Sequence, residues 1–422
     1  MKSLLHAAAL LSVTAASATA QVVISDDFEV DSSADYTIVD DGTPDGTQAF
    51  AFDYIAAGLP LAPRSAAGDV GGLRLTANDL ANVSDAITCF HNTPVTADRY
   101  RLTVDVYMNF VPGSMGTTEH AHVGVGGDAV TPNQLFLPIL GSGGYIAFDG
   151  DGGSSSDYRI FRDSANTPMG DPDSTTLPNS NAAYLNRGSN NSGFYFGNLF
   201  PAPPSEIAGS PGNIWTTVTL EVDNTAGVFS IFFDDSLTFR CPFSGSLVGA
   251  ISIGLADAFS SVATTQFTVY DNLEVEILGA LPGSNYCMAA PNSTLNTGLI
   301  TADGSTAVAD NNLSLRADIL PQNATGYFLA STTQGFVMNP AGSEGNLCLG
   351  GSIGRYVGPG QIGDTGRLAG IKLDVDLTQI PSPVGPVAAL PGDTWNFQCW
   401  HRDNNAGAAT SNFTDAVSVT FN

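Results

Sequence analysis

The stretch TWNFQCWHRD (394–403) gathers a thiol, an imidazole, a guanidinium and a carboxylate within five positions. Alternation along a strand puts Cys399 and His401 on one side, the arrangement that thiol activation needs. A nucleophilic cysteine also needs an electropositive, partly open setting, and Cys399 lies between large aromatics. Core packing of Cys399 is the expectation, with Arg402-Asp403 forming a turn salt bridge or hydrogen bonds to loop carbonyls.

In GTTEHAHVGVGG, His120 and His122 stand two apart on one strand face, a spacing that could offer two zinc ligands. A third ligand is not identifiable, so histidines satisfied by hydrogen bonds are expected. DGDGGSSSD supplies Asp149, Asp151 and Asp157 but fails the calcium-loop template, because Gly153 replaces a ligand and Ile160 the final glutamate. A solvated turn is the reading. In FTVYDNLEVEI, Asp271 lies in the row of Phe267, Val269, Leu273, Val275 and Ile277. A buried carboxylate without a partner is very costly. It needs a cation, an arginine or backbone donors, unless a bulge turns it outward. No Gly-x-Ser-x-Gly elbow and no His-Glu-x-x-His occurs.

The elements that would position these groups are strands. Forty-six glycines, many Ser, Thr and Asn, and almost no long run of helix formers point to an all-β chain. In YRLTVDVYMNF, Leu102, Val104, Val106 and Met108 alternate with Arg101, Thr103, Asp105 and Tyr107, as in a strand with one buried face. WTTVTLEVDNTAGVFSIFFDD reads as a hairpin turning at residues 223–227. Residues 163–214 are rich in Ser, Asn, Pro and Gly yet carry Tyr184, Phe194, Tyr195, Phe196 and Phe200. Such a stretch is either short strands packing their own aromatics or a ligand-facing loop.

Met1-Lys2, an apolar run and Ala18-Thr19-Ala20 read as a signal peptide over 1–20, and no stretch approaches the roughly 20 apolar residues of a membrane span. Neither a lipid-bearing cysteine nor a hydrophobic tail is visible, so a secreted or cell-surface protein is expected. Fourteen basic residues against 41 acidic ones disfavour nucleic acid, whose binding draws on cationic neutralisation of phosphates. They disfavour anionic membranes equally. The Gly/Pro/Ser break LGALPGSN, in a chain too long for one core, divides it into 21–277, a linker at 278–284, and 285–422. Five cysteines in an exported chain invite disulfides with one left over. The division leaves Cys89 and Cys241 as the expected pair in the first unit.

Two resemblances add to this. The segment NYCMAAPNST…NNLSLRADILPQNATGYFLASTTQGF…GNLCLGGSIGRYVGPGQI…DTWNFQCWHRD…NFTDAVSVTF closely resembles a C-terminal domain that recurs in large secreted proteins of planctomycete-type bacteria. It implies an extracellular β-sandwich with no assigned chemistry. The domain's Gln-x-Trp-Tyr-Arg-Asp pattern requires neither Cys399 nor His401. Cys287–Cys348 follows its Tyr-Cys…Asn-Leu-Cys pattern and would close a loop of about 60 residues, worth roughly 4 kcal/mol on the chain-entropy model. Linkage of Cys399 to either partner is the alternative.

The first unit, through DDFE near its start and VYDNLEVEI at its end, resembles a concanavalin A-like or laminin-G-like jelly roll, a fold of glycan-binding modules and some glycosidases. The resemblance implies a structural Ca2+ near the terminal strands, for which Asp271 with Asp27 or Glu29 is the candidate set. Hydrolases of that fold use Glu-x-Asp-x-x-Glu, and here Glu221-Val222-Asp223 is followed by Ala226 where the last acid should stand.

The expected protein is therefore two β-sandwiches, the first a concanavalin A-like jelly roll and the second smaller. Its function would be non-catalytic binding of a glycan or extracellular polymer through the first unit, with the second as attachment or spacer module. Tyr184, Phe194, Tyr195 and Phe196 are the candidate ligand-binding aromatics. The alternatives are a purely structural surface protein and an extracellular polysaccharide-degrading enzyme with a dispersed acid pair.

Overall fold

Leu102, Val104, Val106 and Met108 are all buried in one core, while Arg101 and Thr103 reach outward from the same strand. The computed structural model describes residues 21–40, 45–77, 79, 85–113, 118–135, 140–151, 156–162, 177, 180–257 and 265–422. The expected signal peptide and residues 163–176 of the Ser/Asn/Pro-rich stretch lie outside the described residues.

The chain is all-β, and its strand pairs are antiparallel. In the first sheet Ser236–Pro242, Val228–Phe233, Trp215–Asp223, Arg99–Asn109, Phe267–Ile277, Leu73–Thr76 and Thr47–Ala49 lie side by side, and Gln21–Asp26 also pairs with Phe267–Ile277. The second sheet runs Tyr36–Asp40, Asp85–His91, Ala250–Asp257, Glu119–Gly127, Gly144–Asp149 and Tyr158–Arg162. Their inner rows, among them Val218, Leu220 and Val222 against Ile251, Ile253 and Val123, share the largest core. Each row repeats every second residue because alternate side chains leave opposite faces of a strand.

Beyond Pro282 a second set of sheets begins. Ser284–Tyr286, Ala408–Thr420, Thr394–Asn405, Thr325–Ser331 and Gly354–Arg355 form one, with Gly363–Asp364 beside Thr325–Ser331. Leu299–Asp303, Ser314–Asp318 and Ile371–Asp374 form a smaller one, and Thr333–Met338 pairs with Asn346–Gly350. Ile300 and Leu315 of the smaller sheet pack against Phe328, Phe397, Cys399 and Val417 of the larger, giving this unit its own core.

The two units touch over a built junction. Phe232 and Leu237 pack with Leu185, Leu299 and Ile319. Around them Gln322 donates to the carbonyls of Tyr195 (3.2 Å) and Arg367 (2.7 Å), and Asn198 donates to the Gln322 side chain (3.1 Å). Ser236 donates to the Leu368 carbonyl (2.6 Å), and Asn296 to that of Leu185 (2.6 Å). Phe194–Leu199, the single α-helix among the described residues, lies in this junction.

Candidate functional site

The outward rows of three adjacent strands make a ladder of polar rungs. Trp215 lies opposite Tyr107, Thr217 opposite Asp105, Thr219 opposite Thr103, and Glu221 opposite Arg101. On the other side Arg101 faces Glu276 and Asp105 faces Asp271. Period-two alternation puts these residues on the face opposite Leu102, Val104, Val218 and Leu220. Arg101 bridges its two neighbours, 2.6 Å from Glu221 and 3.2 Å from Glu276. Thr219 donates to Thr103 over 3.3 Å. Trp215 is fixed by donating from Nε1 to the Pro60 carbonyl (2.7 Å) and by edge contacts with Tyr54 and Tyr107.

The second unit supplies the facing wall. Arg316 lies 4.3 Å over the Phe232 ring and reaches the Asp235 carbonyl, while Asp318 holds it at 2.9 Å. Arg367 donates to the Leu199 carbonyl (2.7 Å) and pairs with Asp234 at 3.2 Å. Between the walls lies an open trough of about 610 Å3 whose lining includes Arg64, Arg101, Trp215, Thr219, Glu221 and Lys372. A second hollow of about 310 Å3, lined by Arg99, Asp303 and Ser314 among others, shares Arg101 and Lys372 with it.

Beneath the Trp215 end lies a buried carboxylate pair. Asp105 accepts from Thr217 (2.7 Å), Arg64 Nε (3.2 Å) and Asn272 (3.1 Å). Asp271 accepts from Ser65 (2.7 Å), Tyr54 (2.9 Å) and the Asn272 amide (2.7 Å). The strand bulges here, with Asn272 at φ 52°, a conformation asparagine tolerates, and the register shifts between Asp271 and Glu274. Asp271 thus turns away from the inner row that Leu273 and Val275 rejoin, and Tyr54 and Ser65 cover it. Burial pushes its carboxyl up to about 6; the Ser65 and Tyr54 hydrogen bonds oppose the rise and Asp105 adds to it.

Each member of the calcium set expected from sequence is hydrogen-bonded to protein donors. Glu29 accepts from the Val70 and Gly71 amides (2.7 Å each), and exposed Asp27 caps the Glu29 amide at 3.2 Å. Asp271 is satisfied by the donors just described. Among the described residues no group of three or more His, Cys, Asp or Glu is placed to hold a metal ion.

Two of the four candidate ligand-binding aromatics are corrected by their burial. Tyr184 and Phe196 are buried in the main core, where Phe196 stacks on Tyr158 at 4.1 Å. Tyr195 is half-buried under Arg187, 3.8 Å above its ring, and its hydroxyl lies 2.6 Å from Ser236. Phe194 alone is bare, at 78% exposure. The stretch serves the core and the junction, because Phe196 and Leu199 of its short helix are buried in the main core and Tyr195 packs against it.

Cys89 and Cys241 are free and buried rather than paired. Cys89 lies on the second strand of one sheet and Cys241 on the edge strand of the other, and burial pushes both thiols up to about 12. Cys287 and Cys348 are bonded, with Cα atoms 6.3 Å apart. Cys399 is a free core residue whose thiol burial raises. His401 Nδ1 lies 3.1 Å from the Arg402 carbonyl, and burial lowers its pKa. Asp403 caps the Ser293 and Asn404 amides, and Arg402 lies over Trp400.

His120 and His122 share a face and are buried, which lowers them to about 4 and about 3. Asp149, Asp151 and Asp157 form no solvated turn: all three are buried, and Asp149 lies opposite His120. Burial, with Asp151 close by, raises the Asp149 carboxyl well above its usual range. Glu221 of the incomplete glycosidase motif pairs with Arg101, and Asp223 with Arg99 at 3.4 Å.

Among the described residues no helix is long and apolar enough to cross a membrane. No family model matches the chain. No curated protein matches it. Among solved structures it is similar to the exoplasmic/lumenal domain of VIP36 in a Ca2+- and mannose-bound form, at 10% identity over 50% of this chain and 79% of that one, TM-score 0.34. It is similar to the carbohydrate recognition domain of Emp47p at 11% identity over 55% and 88% of the two chains, TM-score 0.32. The potassium-bound carbohydrate recognition domain of Emp46p stands at 8% identity, 57% and 88% coverage, and TM-score 0.34.

Proposed function

We propose that this is a secreted or cell-surface, non-catalytic protein that binds a glycan or extracellular polymer, and that the trough is where it does so. The observation that carries the reading is the ladder. An aromatic ring suits the apolar face of a sugar, and the rungs beyond it offer fixed donors and acceptors for hydroxyls. Trp215, the Thr103–Thr219 pair and the Glu221–Arg101–Glu276 bridge occur in that order along one face. A groove of mostly fixed groups binds with little ordering cost.

In this reading the 285–422 unit belongs with the C-terminal domains of planctomycete-type secreted proteins, and its role as attachment or spacer module is extended to lining the site. A structural Ca2+ belongs to the proposal through the sequence resemblance alone; a melting temperature unchanged by chelator removes it. The test of the main reading is calorimetric titration of the chain with a panel of soluble polysaccharides. Trp215→Ala and Thr219→Val should each weaken any binding found while thermal melts establish that the fold persists. A panel without a binder rejects the reading.

A structural, self-associating surface component is the second reading. It is favoured by the Thr333–Met338 strand, which bares Phe336 and Met338 at 59% and 71% exposure. Sedimentation of a concentration series separates the two.

A further inference from the structure

The chain is poor in cations, with 14 Lys and Arg against 41 Asp and Glu. Six of those 14 line the trough and the hollow that continues it: Arg64, Arg99, Arg101, Arg316, Arg367 and Lys372. Six carboxylates line the same surface, so the lining is formally neutral in a molecule of charge −27.

The cations are not equally occupied. Arg101 is bridged on both sides, Arg99 is held by Asp223 and Arg316 by Asp318. Arg64 and Arg367 each have one acid partner and keep 31% and 46% of their side chains exposed. The Lys372 ammonium is exposed and makes no ion pair or hydrogen bond among the described residues. It belongs to both hollows and therefore stands where they join.

Lys372 also lies directly opposite Arg316 on the neighbouring strand. Like charges directly opposite one another destabilise a strand pair. Two of so few cations are nevertheless set face to face on the trough wall, and only the arginine has an acid at hand.

We infer that the trough takes an acidic glycan, one bearing carboxylate or sulfate groups, and that the second unit supplies Lys372 and Arg367 among the cations that read those groups. This rests on the trough being the glycan site proposed above. An anionic substituent over the join would give Lys372 its missing partner and relieve its repulsion with Arg316. Arg64 and Arg367 would serve further substituents by charge-assisted hydrogen bonds, which are stronger than neutral ones. Elsewhere the acidic surface repels a polyanion, so the neutral trough also selects where such a chain can lie.

The experiment is titration calorimetry of the full chain with three probes of matched length: oligouronates, sulfated galactan oligosaccharides and neutral glucan oligosaccharides. At least one acidic probe should bind more than tenfold tighter than the neutral one and weaken as salt rises from 50 to 500 mM. Lys372→Glu should cost that probe about tenfold and Lys372→Gln severalfold, narrowing its preference over the neutral probe, with no fall in melting temperature because each substitution removes the repulsion with Arg316. Whether uronate or sulfate binds tighter identifies the anion. Equal affinity for acidic and neutral probes, with both lost in Trp215→Ala, overturns the acidic-glycan inference and leaves the trough reading standing. Acidic binding untouched by both Lys372→Glu and Trp215→Ala, or no binding of any probe, overturns both.

Discussion

The two outer faces of the first sandwich carry similar residue types and meet opposite fates. On the second sheet, Thr88, His122 and Ser252 point away from the core, and the segment around Asn133 closes over them. The Asn133 amide donates to Thr88 over 2.9 Å and its side chain to Ser252 over 3.1 Å, while Tyr145 stacks on Phe161 at 4.5 Å. On the first sheet, the rungs from Trp215 to Glu221 are left open along the trough. Strand alternation decides which face a side chain takes; whether that face is wet is decided by a distant stretch of chain laid across it.

The largest effect that sharpens this contrast is expected at Gly254. A Cβ there would lie 2.2 Å from His122 Cε1 and 2.3 Å from the Ile87 carbonyl oxygen. Gly254→Ala should cost about 3 kcal/mol in urea unfolding, at the upper end of overpacking penalties, because neither neighbour can retreat. A loss under 1 kcal/mol would mean that the closed face is loose.

The pH dependence separates the faces by sign. His120 and His122 are lowered by burial to about 4 and about 3, against about 6.5 unfolded. Between those values and about 6.5 the unfolded chain binds more protons, so this face loses stability as pH falls, by roughly 1 kcal/mol per pH unit for each histidine. Asp271, under the open face, is raised to about 6 from a usual value near 4, so in that window the folded chain binds more protons. Its contribution is full below about pH 4 and is lost as pH rises through about 6. Unfolding measured from pH 4 to 7 should therefore be flatter on the acid side in His122→Asn and steeper in Asp271→Asn. Matching slopes in the two variants would erase the contrast.

Smaller effects belong to the open face. Arg101→Met breaks two partly exposed ion pairs and should cost about 1 kcal/mol. Thr219→Val, which removes a single long, part-buried hydrogen bond, should cost about 0.5 kcal/mol in unfolding. A much larger cost at Thr219 would show that this face is a structural one.

What the sequence made legible follows the same division. The row Leu102, Val104, Val106 and Met108 was readable because alternation is local, and so was the choice at Asp271 between a metal and a bulge that turns it outward. The resemblance at 285–422 correctly implied Cys287–Cys348. Cys89–Cys241 was not decidable, since both residues face one core from different sheets, and counting cysteines per unit carries no distance. Tyr184 and Phe196 looked like loop aromatics because their partners, Tyr158 and Phe239, lie far along the chain. The ladder was visible strand by strand as Arg101-Thr103-Asp105 and Thr217-Thr219-Glu221, but nothing local says that the two rows are neighbours. Lys372, the one lysine beyond residue 2, was conspicuous in composition without a location.

The bond between Cys287 and Cys348 has a mechanical consequence. Tension arriving from the first unit enters at Ser284–Tyr286 and crosses the sulfurs to Cys348, so the 60 residues between the two cysteines are bypassed. A chain held at its far end and pulled from the first unit therefore cannot lengthen by paying out that loop, and the slack must come from the junction between the units or from the strands after Cys348.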